Sequence, residues 1–129
     1  VIHLAIDAAF QHDTHQASAG LVLKQNGQQD QDKTILDTCI DNHQAEFLAL
    51  IWALSNYQDQ LKADGLLEVL SDSKILVASL QKGYAKNYQK EVDLILNLLP
   101  NPATTFFTWV PEKQNLGPHH LALQALKKA

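Results

Sequence analysis

The order of the apolar segments constrains this chain more than any other feature. Three segments with strand character, residues 1–6, 20–25 and 34–40, come before any helix. A helix is then predicted over residues 42–60, with Phe47, Leu50, Ile51 and Leu54 at helical spacing and Asp41 or Asn42 as its cap. Beyond it strand and helix alternate: a strand at 66–70, a short helix at 74–81 and a helix around 92–99 stopped by Pro100 and Pro102. A fifth strand at 104–110 and a last helix at 121–128 complete the chain. A meander of three strands followed by such alternation predicts an α/β fold, a five-stranded mixed sheet with helices on its faces.

The 129 residues suit one compact domain spanning 1–129, and an apolar fraction of 46% is enough for a sizeable core. Residues 25–32 are rich in glutamine and contain Asn26-Gly27, a strong hairpin-turn signal, so they read as an exposed connection. The longest uncharged apolar run, residues 47–54, is far short of a membrane span. One cysteine, Cys39, has no disulfide partner in the chain and cannot build a thiolate zinc site, and its place in a predicted strand suits core packing. A membrane protein, a disulfide scaffold and a zinc finger are thereby excluded. A reducing, cytoplasmic compartment is expected.

Charge is unevenly distributed. Residues 1–72 carry three lysines against eleven acids, residues 73–129 seven lysines against three acids, and there is no arginine. An acidic pole beside a basic one suits a metal site next to a polyanion, although an unevenly solvated surface gives the same count.

Three of the acids stand out. Asp7 and Asp72 follow the first and fourth predicted strands, and parallel neighbouring strands would bring both to one edge of the sheet, where ligands of open sheets collect. Glu46 shares a helical stripe with Ala49, Leu50, Ala53 and Tyr57 and so joins the inward face. Converging carboxylates repel one another unless a divalent cation neutralises them, and hard oxygen ligands select Mg²⁺ or Mn²⁺. Each acid also has an ordinary use. Asp72 can cap a helix, Asp7 can be a loop acid, and Glu46 can complement a helix dipole.

Three segments frame these acids: Ile6-Asp7-Ala8-Ala9, the helical Asn42-His43-Gln44-Ala45-Glu46-Phe47-Leu48-Ala49-Leu50, and Leu70-Ser71-Asp72-Ser73. Anchored on them, the sequence resembles the type 1 ribonuclease H family over nearly its whole length. The resemblance implies the ribonuclease H-like sheet with helices on both faces, and hydrolysis of the RNA strand of RNA–DNA hybrids to 5′-phosphate and 3′-hydroxyl products. It implies two Mg²⁺ or Mn²⁺ ions, about 3.5–4 Å apart, clamping the attacking water and the leaving oxygen. Asp7 would bridge both ions, with Glu46 and Asp72 on the leaving-group side. Members usually carry a fourth acid opening the last helix. Here Asn115-Leu116-Gly117-Pro118-His119 puts His119 at that position, which makes a ligand set of Asp7, Glu46, Asp72 and His119 and an advantage for Mn²⁺ over Mg²⁺ the expectation. The first hairpin also departs, with Ala8 where a glycine is common and a longer turn that contains His12 and His15.

For the nucleic acid, Asn42, Gln44 and Ser73 sit beside the predicted ligands and can donate to sugar or base edges, or can simply cap helices. Lys74 opens a helix, and Lys82, Lys86 and Lys90 recur at spacing four, which on a helix would put three ammonium groups on one face with Tyr84 and Tyr88 between them. This resembles a reduced form of the family's basic protrusion. A hybrid-binding module whose chemistry has decayed is the alternative reading. A third makes the chain, which opens at Val1 without Met, one part of a larger polypeptide.

Overall fold

The computed structural model describes residues 1–62 and 65–128. The meander is formed by β1 (Ile2–Phe10), β2 (Ala17–Gln25) and β3 (Gln28–Leu36), each antiparallel to the next. Asn26 and Gly27, with φ of 53° and 77°, make the tight turn between β2 and β3, the geometry that the twist of a hairpin favours. Residues 28–32, expected as a connection, therefore belong to β3, and the third strand ends at Leu36 rather than at 40. β3 is an edge strand whose first four side chains are exposed, so pairing with β2 and not apolar burial holds it in place. Cys39 accordingly lies beyond the strand, buried against Ala17 and Ala45.

After the meander come α1 (Asn42–Asn56), the single turn α2 (Gln58–Leu61), β4 (Leu67–Ser71), α3 (Lys74–Lys82), α4 (Gln89–Leu98), β5 (Thr105–Trp109) and α5 (Leu116–Lys127). Asp41 caps α1, its Oδ1 accepting from the Gln44 N–H at 2.8 Å. α1 is shorter than predicted because Ser55 and Asn56 are weak helix formers, and the Asn56 amide donates instead to the Trp52 carbonyl. α5 starts five residues earlier than predicted. Pro118 lies in its first turn, where a missing N–H costs nothing.

The sheet order is β3-β2-β1-β4-β5, with β1, β4 and β5 parallel. Helices α1 and α3 cover one face, with α4 packed against both, through a core that includes Ile2, Leu4, Ile6, Phe47, Leu50, Leu54, Val69, Leu76 and Ile95. Helix α5 covers the other face over β1, β2 and β3. β1 runs past the expected end at Asp7 because residues 8–10 stay paired with β2. Its parallel ladder with β4 nevertheless stops at Ala5, so Asp7 emerges just beyond that ladder, level with the end of β4.

Candidate active site

Three elements deliver the acids. β1 presents Asp7, α1 presents Glu46, and Asp72 follows β4 directly. One carboxylate oxygen from each lies within 4.8 Å of the others, a group that can hold a metal ion. Together with Ala8, Glu112 and His119 these acids line a cavity of about 300 Å³. Asp72 does not cap α3. That role falls to Ser73, whose Oγ accepts from the Leu76 N–H at 3.1 Å and whose hydroxyl also favours the charged form of Glu46.

Burial and mutual repulsion set the charge state of the group. Asp7 is only 4% exposed. Its carboxyl is pushed up from 3.8 to about 7, first by burial and then by the charge of Asp72, against the opposing pull of the Ala8 N–H and of His119. Burial likewise raises Glu46, with the Ser73 hydroxyl opposing it, and raises Asp72, where the charge of Glu112 adds to the effect. Protonation of Asp7 near neutral pH relieves part of this repulsion. The donor set is all oxygen, anionic and preassembled, which is the chemistry that Mg²⁺ and Mn²⁺ take, so the residues present fit a divalent cation.

His119 reaches the same cavity from the first turn of α5. Its Nδ1 lies 3.0 Å from Asp7 Oδ2 and its Nε2 lies 3.5 Å from Glu112 Oε1. It is not a member of the group of three acids whose ligand atoms converge. Three contacts fix the start of α5 over Asp7. Asn115, buried, donates its amide to the Ile6 carbonyl at 2.9 Å, and the Ser18 hydroxyl donates to the Ala122 carbonyl. Gly20, opposite Asp7 in the β1–β2 ladder, lets the helix backbone come so close that a Cβ there would collide with the Pro118 carbonyl oxygen.

The structure distributes the predicted nucleic-acid residues unevenly. Asn42 is exposed at the start of α1. Gln44 is engaged internally, accepting from the Ile40 N–H and donating to Glu91. Lys74, Lys82, Lys86 and Lys90 are all exposed, but the last three do not share a helical face. α3 ends at Lys82, Gly83 turns with φ of 72°, and α4 begins only at Gln89. Tyr84 is exposed, whereas Tyr88 is a core residue, stacked on Phe47 and donating to Asp41 at 2.7 Å. The Lys74 ammonium lies 5.0 Å from the Trp109 ring centroid, and the Trp109 indole N–H donates to the Asp72 carbonyl. Burial raises the Cys39 thiol, which keeps it un-ionised. In the first hairpin, His15 bonds the Cys39 carbonyl through Nδ1 and meets the Phe10 ring edge-on.

The residue that the sequence left unmarked is Glu112. It sits in a short 3-10 turn, 112–114, between β5 and α5, and no periodicity distinguishes it from Lys113 or Gln114 beside it.

The profile of the reverse transcriptase-like family matches residues 5–125. A protein of Enterococcus faecalis, which carries the name EbsB and a provisional designation as a hydrolase, is 32% identical over 130 residues, covering 99% of this chain and 96% of that protein. The ribonuclease H1 of the halophilic archaeon Halobacterium salinarum superposes with a TM-score of 0.86 at 26% identity, over 99% of this chain and 98% of that one. A compost-derived ribonuclease H1, LC11, solved in complex with an RNA/DNA hybrid, superposes with the same score and the same coverage at 21% identity.

Proposed function

The chain belongs to the reverse transcriptase-like family and is of ribonuclease H type, and from that premise we propose that it hydrolyses the RNA strand of RNA–DNA hybrids, leaving 5′-phosphate and 3′-hydroxyl ends. The observation that carries the reading is the convergence of Asp7, Glu46 and Asp72 within 4.8 Å at the open edge of a ribonuclease H-like sheet. We assign these three acids to two Mg²⁺ or Mn²⁺ ions. Bound there, the ions supply Lewis-acid activation of water and neutralise charge on the phosphodiester. The chain's own work is positional. Asp7 is clamped between the Ala8 N–H and His119, Glu46 is favoured in its charged form by the Ser73 hydroxyl, and Asp72 is carried by the end of β4.

Asn42 and the four lysines, Lys74, Lys82, Lys86 and Lys90, are the exposed polar groups through which we propose the hybrid is held. Gln44 and Ser73 act from beneath, by fixing the first turns of α1 and α3. Lysine contacts to phosphate are point-charge contacts, so binding is sensitive to salt.

The test is Asp7→Asn. The variant is expected to lose hybrid cleavage by about a hundredfold or more while still binding the hybrid in Ca²⁺. Wild-type protein that binds hybrid and cleaves it in neither Mg²⁺ nor Mn²⁺ would instead be a binding module.

A further inference from the structure

Building on the divalent-cation site just proposed, we propose that Glu112 supplies its fourth carboxylate, held toward it by His119, which acts as a positioning residue between Glu112 and Asp7. Four acids, Asp7, Glu46, Asp72 and Glu112, line a single cavity. The His119 ring spans it, with Nδ1 3.0 Å from Asp7 and Nε2 3.5 Å from Glu112. A neutral imidazole has one donor nitrogen and one lone pair, and here each nitrogen faces a carboxylate, so binding a metal through the lone pair would require the ring to leave one of its acids. It is suited to hold those two acids at a fixed separation.

The backbone beneath Glu112 is anchored, and its side chain meets the site through His119. The Asn115 N–H donates to the Glu112 carbonyl at 2.8 Å, the Gln114 N–H donates to the Pro111 carbonyl at 2.9 Å, and Asn115 itself is tied to Ile6 on β1. The Glu112 side chain is 67% exposed, so it can turn into the cavity without leaving a buried site. Hard cations prefer oxygen to imidazole nitrogen. A glutamate from the turn before α5 therefore restores the charge that a histidine at position 119 cannot supply, and the restored oxygen set favours Mg²⁺ as well as Mn²⁺.

The experiment is a Mn²⁺ titration of the whole protein without nucleic acid, followed by calorimetry or by the spin-resonance signal of free Mn²⁺. Wild type is compared with Glu112→Gln, His119→Gln and Asp7→Asn. Glu112→Gln is expected to weaken Mn²⁺ binding at least threefold, and by more than His119→Gln does. A loss below threefold, or a larger loss in His119→Gln than in Glu112→Gln, overturns the assignment, the second result making His119 the ligand. Asp7→Asn separates the two levels of the reading. If it too leaves Mn²⁺ binding unchanged, the cation site itself is wrong; if it abolishes binding while Glu112→Gln has no effect, only the role of Glu112 is lost.

Discussion

Asp7 is the residue at which burial and charge conflict most. In the unfolded chain its carboxyl titrates near 3.8, and in the fold near 7. Between those values the folded protein keeps a proton that the unfolded chain has released, so the stability of the metal-free protein falls as pH rises through that window. A divalent cation competes with the same proton. Thermal unfolding should therefore show a Mn²⁺-induced rise in Tm that is larger at about pH 8 than at about pH 5. Asp7→Asn should flatten the metal-free pH dependence and abolish the Mn²⁺ shift; a shift that persists in the variant contradicts the assignment. His119 pulls the Asp7 carboxyl downward. His119→Ala should accordingly move the window to higher pH, measured as the midpoint of the metal-free stability loss.

At the scale of elements, the site depends on how closely α5 docks on β1 and β2. Gly20 and Asn115 control that distance, one by having no side chain and the other by its bond to the Ile6 carbonyl. Gly20→Ala forces α5 outward and should cost about 1–3 kcal/mol, the range for overpacking. Asn115→Ala leaves a buried carbonyl without its partner and should cost about 1–3 kcal/mol. Urea unfolding measures both. Each should also weaken Mn²⁺ binding, because His119 and Glu112 move with the start of α5. Sequence patterning located Asp7, Glu46 and Asp72 because strand ends and a helical stripe leave periodic signals. It did not locate Glu112, which lies in a turn, or the early start of α5, which Gly117-Pro118 disguises as a break. The lysine spacing misled for a related reason. Spacing of four aligns side chains only inside one helix, and Gly83 interrupts it. The glutamine-rich part of β3 was equally hidden, since an edge strand exposed to solvent needs no apolar pattern.

At the scale of the whole molecule, eleven of the fourteen acids precede residue 73 and seven of the ten lysines follow it. With a formal net charge of −4, binding to a polyanion must come from local lysines and not from overall attraction. Replacing Lys74, Lys82, Lys86 and Lys90 by glutamine should weaken hybrid binding and flatten its dependence on log salt by about 3, since each lost phosphate contact removes about 0.7–0.9 from the slope. An unchanged slope would place the hybrid elsewhere on the surface. The central claim is narrower than binding: this acidic sheet edge cuts RNA only when it is paired with DNA. It is tested most directly by incubating the protein with an end-labelled RNA–DNA hybrid, in Mg²⁺ and separately in Mn²⁺, beside single-stranded RNA and duplex DNA. The account predicts metal-dependent cleavage of the RNA strand of the hybrid alone, with 3′-hydroxyl ends. Silence in both metals, or equal cleavage of single-stranded RNA, would contradict it.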